Sequence, residues 1–269
     1  MSDEVVLFEQ KQSVALITLN RPQARNALNP ESLVRLAEAW QRVRDDESVR
    51  VAVITGTGPA FCAGMDLGSM IPLITGARAP QDKWDKALVS DPSLTHRAIL
   101  RNFDTVKPVI AAINGFAVAG GMELVMGCDL RVASDEARFG LQEVKWALFP
   151  GGGSTVRLPN QIPYARAMEM LLTGELFEAI DMLHYGFLNY TVSAADVLDK
   201  SVDLAEKIAR NGPVAVSAVR RSAREAIGVP EATALERESE LSAPVYATQD
   251  AIEGPRAFIE KRTPVFHGH

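Results

Sequence analysis

The chain has 269 residues, 47% of them hydrophobic, enough for a sizeable core in one large domain or one domain with a helical appendage. Its 28 basic and 34 acidic residues leave a net charge of −6, which argues against nucleic acid, whose binders carry a basic excess. Two cysteines make no disulfide framework, no apolar run approaches the ~20 residues of a membrane span, and the acidic N-terminus has no signal-peptide pattern. A cytoplasmic protein without a membrane partner is expected.

Taken in chain order, Val14–Leu19 (VALITL) reads as a strand that Asn20-Arg21-Pro22 terminates. Asn29-Pro30-Glu31 then has the form of an N-cap, a proline at the first helical position and an early acid. Leu33, Leu36, Ala37, Trp40 and Val43 follow at helical spacing, so one face of this helix should be buried. Residues 49–55 (VRVAVIT), Val109–Ile113 (VIAAI) and Leu130–Ser134 (LRVAS) are further strands, with helical patterns at 122–126 and 164–172. This alternation predicts an α/β fold with right-handed crossovers. From about residue 195 the pattern is helical only, so a core over 1–195 and a helical region over 196–269 are expected. Residues 69–95 break at Gly76 to Pro80 and at Asp91-Pro92. They have the character of either a substrate-pocket wall or a disordered loop.

Four stretches could carry chemistry. In AGGMELVM, Gly120 and Gly121 open a helix whose other residues are apolar, so backbone N–H groups would be accessible and Glu123 desolvated. Desolvation raises a carboxyl pKa while the helix N-terminus opposes the rise; a solvated first-turn acid is the plain alternative. Glu143, twenty positions later in FGLQEV, reads equally as an ordinary acid at a strand end. The Gly-rich turn FPGGGST at 149–155 has neither the P-loop lysine nor G-x-G-x-x-G, and no G-x-S-x-G elbow surrounds Ser154. AFCAGMDL at 60–67 could present another N–H or merely connect a strand to a helix. The scattered His96, His184, His267 and His269 offer no metal spacing.

These stretches, with NRP and NAL at 20–28, KPVIAAING at 107–115, CDLRVAS, FPGGGSTVRL and the terminal EKRTPVF, occur in an order that resembles the enoyl-CoA hydratase/isomerase (crotonase) superfamily. The resemblance implies an α/β spiral of repeated ββα units, with the C-terminal helices building a homotrimer or a hexamer of two trimers. Leu204, Ile208, Val214 and Val219, apolar residues in excess of what a lone appendage can hide, point the same way. The implied substrate is an acyl-CoA thioester; coenzyme A belongs to the substrate, and neither cofactor nor metal is expected.

By motif, the resemblance assigns the thioester oxygen to the N–H groups of Met65 and Gly120, and proton transfer to Glu123 and Glu143. It places Ala24, Arg25, the Ala63 carbonyl, Asp66 and Leu67 on the substrate, and Phe258 and Lys261 against the nucleotide of a neighbouring subunit. Hydration of a trans-2-enoyl-CoA is the expected reaction, because two carboxylates suit addition of water. A Δ3,Δ2-enoyl-CoA isomerase or a non-catalytic acyl-CoA binder are the alternatives. Ala119, Gln142 and Trp146-Ala147 depart from the family's usual residues, which bears most on how Glu143 is placed.

Overall fold

The computed structural model describes residues 4–269. A hairpin of β1 (Val6–Lys11) and β2 (Val14–Leu19) leads into α1 (Pro30–Asp45). Asn29 caps α1 by accepting from the Ser32 N–H, and Leu33, Leu36, Ala37, Trp40 and Val43 are all buried, as their spacing requires. The hairpin's first strand was not foreseen. Only Val6 of VLFEQK is buried, so that edge strand lacks an alternating apolar signature.

Three turns of a spiral follow. The first comprises β3 (Val51–Gly56), β4 (Ala60–Cys62), α2 (Leu67–Ile74), α3 (Lys83–Ser90) and α4 (Ser93–Ala98). The second is β5 (Val109–Ile113), β6 (Phe116–Val118) and α5 (Gly120–Gly127). The third is β7 (Leu130–Ser134), β8 (Arg138–Gly140), α6 (Ser154–Gln161) and α7 (Tyr164–Thr173). β9 (Phe177–Glu178), α8 (Ala179–His184) and β10 (Tyr190–Val192) close it. Each turn contributes one strand to a six-stranded sheet, β1-β2-β3-β5-β7-β10, and one to a four-stranded sheet, β4-β6-β8-β9. The strands of successive turns pair in parallel, which demands the long crossovers that carry the helices. β3 and β5 are covered on both faces, hence their continuous apolar sequences.

The segment 69–95 is neither irregular nor disordered. Its breaks at 76–80 and 91–92 are the turns between α2, α3 and α4, each too short to show clear periodicity. The buried Trp40 indole donates to the Ala98 carbonyl (3.0 Å), fastening this wall to α1.

Four helices end the chain: α9 (Val197–Ala209), α10 (Pro213–Glu225), α11 (Glu231–Tyr246) and α12 (Gln249–Glu260). α9 lies on the large sheet, where Val197, Ala205, Leu204 and Ile208 pack with Val51, Val53, Ile110 and Val132. Leu204 and Ile208 are therefore partly covered within the chain, by the sheet rather than by a second copy. α10 and α11 bury no residue, and Val219 stays 69% exposed. Among the described residues, no helix is long and apolar enough to cross a membrane.

Candidate active site

α5 begins directly after β6, and every residue from Gly120 to Gly127 is buried. The turn between them falls on Ala119, whose φ of 49° is uncommon for a residue with a Cβ. Two glycines are needed next for different reasons. A Cβ on Gly121 would sit 2.3 Å from the Cys62 carbonyl oxygen, so only glycine lets α5 approach β4 this closely. A Cβ on Gly120 would sit 3.6 Å from the Met65 nitrogen, so the Gly120 and Met65 N–H groups belong to one small region.

Both donors remain open. The first N–H groups of a helix have no intrahelical acceptor. The loop carrying Met65 is clamped by hydrogen bonds that leave Met65 itself out: Ala63 N–H donates to Arg25 (3.0 Å), Leu28 N–H to Gly64 (2.8 Å) and Asp66 N–H to Leu28 (3.0 Å). Among the described residues, neither the Met65 nor the Gly120 N–H meets an acceptor. The buried Asn26 amide, donating to the Thr57 and Ala60 carbonyls, holds the clamp in place, which is what the NAL motif contributes.

Glu123 is 4% exposed. Its Oε1 accepts from the Gly152 N–H and from the Ser154 hydroxyl (2.9 Å). Burial pushes its carboxyl above the usual range, against the lowering effect of those bonds. The Gly-rich turn is thus a brace for Glu123. A Cβ on Gly152 would fall 2.0 Å from Glu123 Oε2 and 2.4 Å from Ile99 Cδ1.

Glu143 opens a 3-10 turn, Glu143–Trp146, beyond β8 and is half-buried. Its Oε2 is buried without a hydrogen-bond partner. Burial first, then the negative charge of Glu123, raises its pKa to about 7. Two carboxyls with raised pKa values in one cleft form an arrangement suited to proton transfer.

Glu123, Glu143, Met65 and Gly120 all line a cavity of about 490 Å³, joined by Ala63 and Leu67. The other expected contacts lie elsewhere. Ala24 and Arg25 sit behind the clamp, where the Arg25 carbonyl braces Ala63. Asp66 caps α2 and pairs with Arg21 at 3.2 Å. Phe258 is 85% exposed near the end of α12, which Lys261 caps. Sequence reasoning gave no role to Ser154 and Gly152, since the glycine run matches no phosphate-binding or nucleophile motif. It missed His96, Ile99 and Arg101, which also line the cavity, because the segment carrying them has no recognisable pattern. Cys62 and Cys128 are buried thiols whose pKa values burial pushes up to about 12, which disfavours the reactive thiolate.

This geometry has relatives. The profile of the family described as Enoyl-CoA hydratase/isomerase matches residues 9–269. The chain belongs to the enoyl-CoA hydratase/isomerase family. It is 41% identical over 260 residues to enoyl-CoA hydratase EchA19 of Mycobacterium tuberculosis, covering 97% of this chain and 95% of that one. It is also 41% identical over 264 residues to (E)-benzylidenesuccinyl-CoA hydratase of Thauera aromatica, covering 98% and 99%. A crystal structure of enoyl-CoA hydratase from Mycobacterium tuberculosis superposes with a TM-score of 0.88 at 37% identity, over 99% of this chain and all of that one. The spiral is therefore the crotonase fold, and the protein is an enzyme of the crotonase type. Membership of the enoyl-CoA hydratase/isomerase family implies an acyl-CoA thioester as its substrate class.

Proposed function

We propose that the protein adds water across the double bond of a trans-2-enoyl-CoA, or catalyses the reverse dehydration. The observation that carries this reading is the pair of unequal carboxyls, Glu123 and Glu143, in the cavity that also holds two open N–H groups. The thioester oxygen takes the Met65 and Gly120 N–H groups, which stabilise the enolate; one such donor contributes roughly 3 kcal/mol in other oxyanion holes. Glu123, as carboxylate, removes a proton from water attacking the β carbon. Glu143, partly protonated near neutrality, delivers a proton to the α carbon. The two carboxyls then hold one proton between them as before, and exchange with solvent restores the starting state. The relatives named as CoA-ester hydratases support the same reaction type.

Loss of the enoyl absorbance of crotonyl-CoA tests it. Turnover to the 3-hydroxyacyl-CoA is expected; binding without turnover of crotonyl-CoA or its longer homologues would refute it. Gly120→Pro, which removes a donor, should abolish activity.

The same reading makes the protein a cytoplasmic trimer or hexamer. Val219, Leu235 and Tyr246 line a groove of about 740 Å³ between α10 and α11, and Phe258 and Ile259 stand exposed on α12. Phe258 and Lys261 would then reach a neighbour's nucleotide, with Ala24, Arg25 and Ala63 on the chain's own. Sedimentation should give three or six copies; a stable monomer at micromolar concentration would refute the assembly.

A further inference from the structure

One wall of the cavity carries a charge to which the proposed hydration assigns no contact with the substrate. Arg101 lines it beside Thr95 and His96, among Ile71, Ile74 and Ile99. Arg101 Nη1 lies 3.0 Å from His96 Nε2. Since a guanidinium can only donate, Nε2 must be the acceptor and the imidazole neutral. Burial and the neighbouring arginine both hold the His96 pKa down, in agreement with that tautomer. The pair thus presents one positive charge. It acts through space on Glu123, lowering that carboxyl's pKa against the larger rise that burial gives it. Among the described residues no carboxylate lies within ion-pair distance of Arg101, and Glu123 spends its Oε1 on Gly152 and Ser154 instead.

The backbone around Arg101 is fixed in an uncommon way. Leu100 (φ 56°) and Asn102 (φ 55°) are both left-handed, although neither is glycine. Arg101 N–H donates to the His96 carbonyl (2.8 Å), and Arg157 donates to the Leu100 carbonyl. Side chains that merely need solvent do not require such a support. Arg101 is only partly exposed, and a guanidinium facing such a cavity gains from an anion that meets it there.

Resting on the acyl-CoA reading of this cavity, we propose that the acyl group of the substrate carries a carboxylate, which Arg101 binds with His96 holding the guanidinium in place. Arg101 is then a specificity residue; proton transfer stays with Glu123 and Glu143.

Calorimetry with two saturated thioesters tests this without turnover: hexanoyl-CoA, and the six-carbon thioester ending in a carboxylate. A charge-assisted hydrogen bond corresponds to roughly 10–100-fold in binding, so the wild-type protein should bind the acid-ended thioester tighter by that factor. Arg101→Met should erase the difference, and Arg101→Lys should retain part of it. Equal binding of the two by the wild type would overturn the inference while leaving hydration intact. So would an Arg101→Met variant that weakens both thioesters alike, the mark of a structural role. A preserved preference in a protein that hydrates no enoyl-CoA, acid-ended or neutral, would keep this inference and remove the hydratase reading.

Discussion

The two carboxyls of the cavity are held in opposite ways. Glu123 belongs to a wholly buried helix, and its Oε1 receives an N–H and an O–H from the Gly-rich turn. Glu143 sits in a short 3-10 turn with a bare buried oxygen and the charge of Glu123 against it. Bonds to a carboxylate favour its ionised form, whereas burial without bonds favours the acid. The braced group suits a base and the bare group an acid. On the proposed reading these are the base and the acid of a hydration.

Removing either group gives the largest effect and can break this contrast. Glu123→Gln and Glu143→Gln should each lower kcat by at least about 100-fold, the usual range for general acid–base catalysis. The double variant should lose far less than the product of the two, since both act in one transition state. Steady-state rates on crotonyl-CoA decide it. Near-full activity in Glu143→Gln would leave a single working carboxylate and favour the isomerase alternative.

Disturbing the brace alone should cost less. In Gly152→Ala the new Cβ would displace Glu123 and Ile99. A misplaced catalytic group can cost about 100-fold with little loss of fold, so kcat should fall by roughly 10–100-fold while the thermal midpoint changes little. Ser154→Ala removes the strongest influence lowering the Glu123 pKa. The acidic limb of the kcat/KM profile should therefore move to higher pH, because the base ionises later. An unmoved limb would show that Ser154 does not tune Glu123.

The smallest effects concern Glu143 and pH. As the acid it must be protonated, so kcat/KM should decline as pH rises through about 7. Its folded pKa also lies above the ordinary 4.5, so its contribution to stability is complete below 4.5 and is lost as pH rises to about 7. Melting curves at pH 5 and pH 8 should show Glu143→Gln gaining on the wild type at the higher pH. A constant gap would mean that the bare oxygen meets water and carries no penalty.

The sequence by itself settled four strands of the large sheet (β2, β3, β5 and β7), the cap at Asn29 and the buried face of α1, because local periodicity and turn chemistry report directly on burial. The two- and three-residue strands of the small sheet are too short to leave a pattern. Its glycines read as openings for a ligand, and the close packing at two of them came only from the fold. A Cβ at Gly121 would meet the Cys62 carbonyl, whereas one at Gly152 would push aside the ends of the Glu123 and Ile99 side chains. The sequence did not reveal that Ser154 serves Glu123, that α9 returns to cover the large sheet, or that residues 69–95 form helices around the cavity. Nor did it bring Arg101 into the cavity with Glu123. Each of these depends on chain segments packing across the spiral, at separations that carry no local pattern. A hydrogen bond between residues 31 positions apart leaves no periodic trace, and the charge of Glu123 acts on Glu143 only once the fold has removed the water between them.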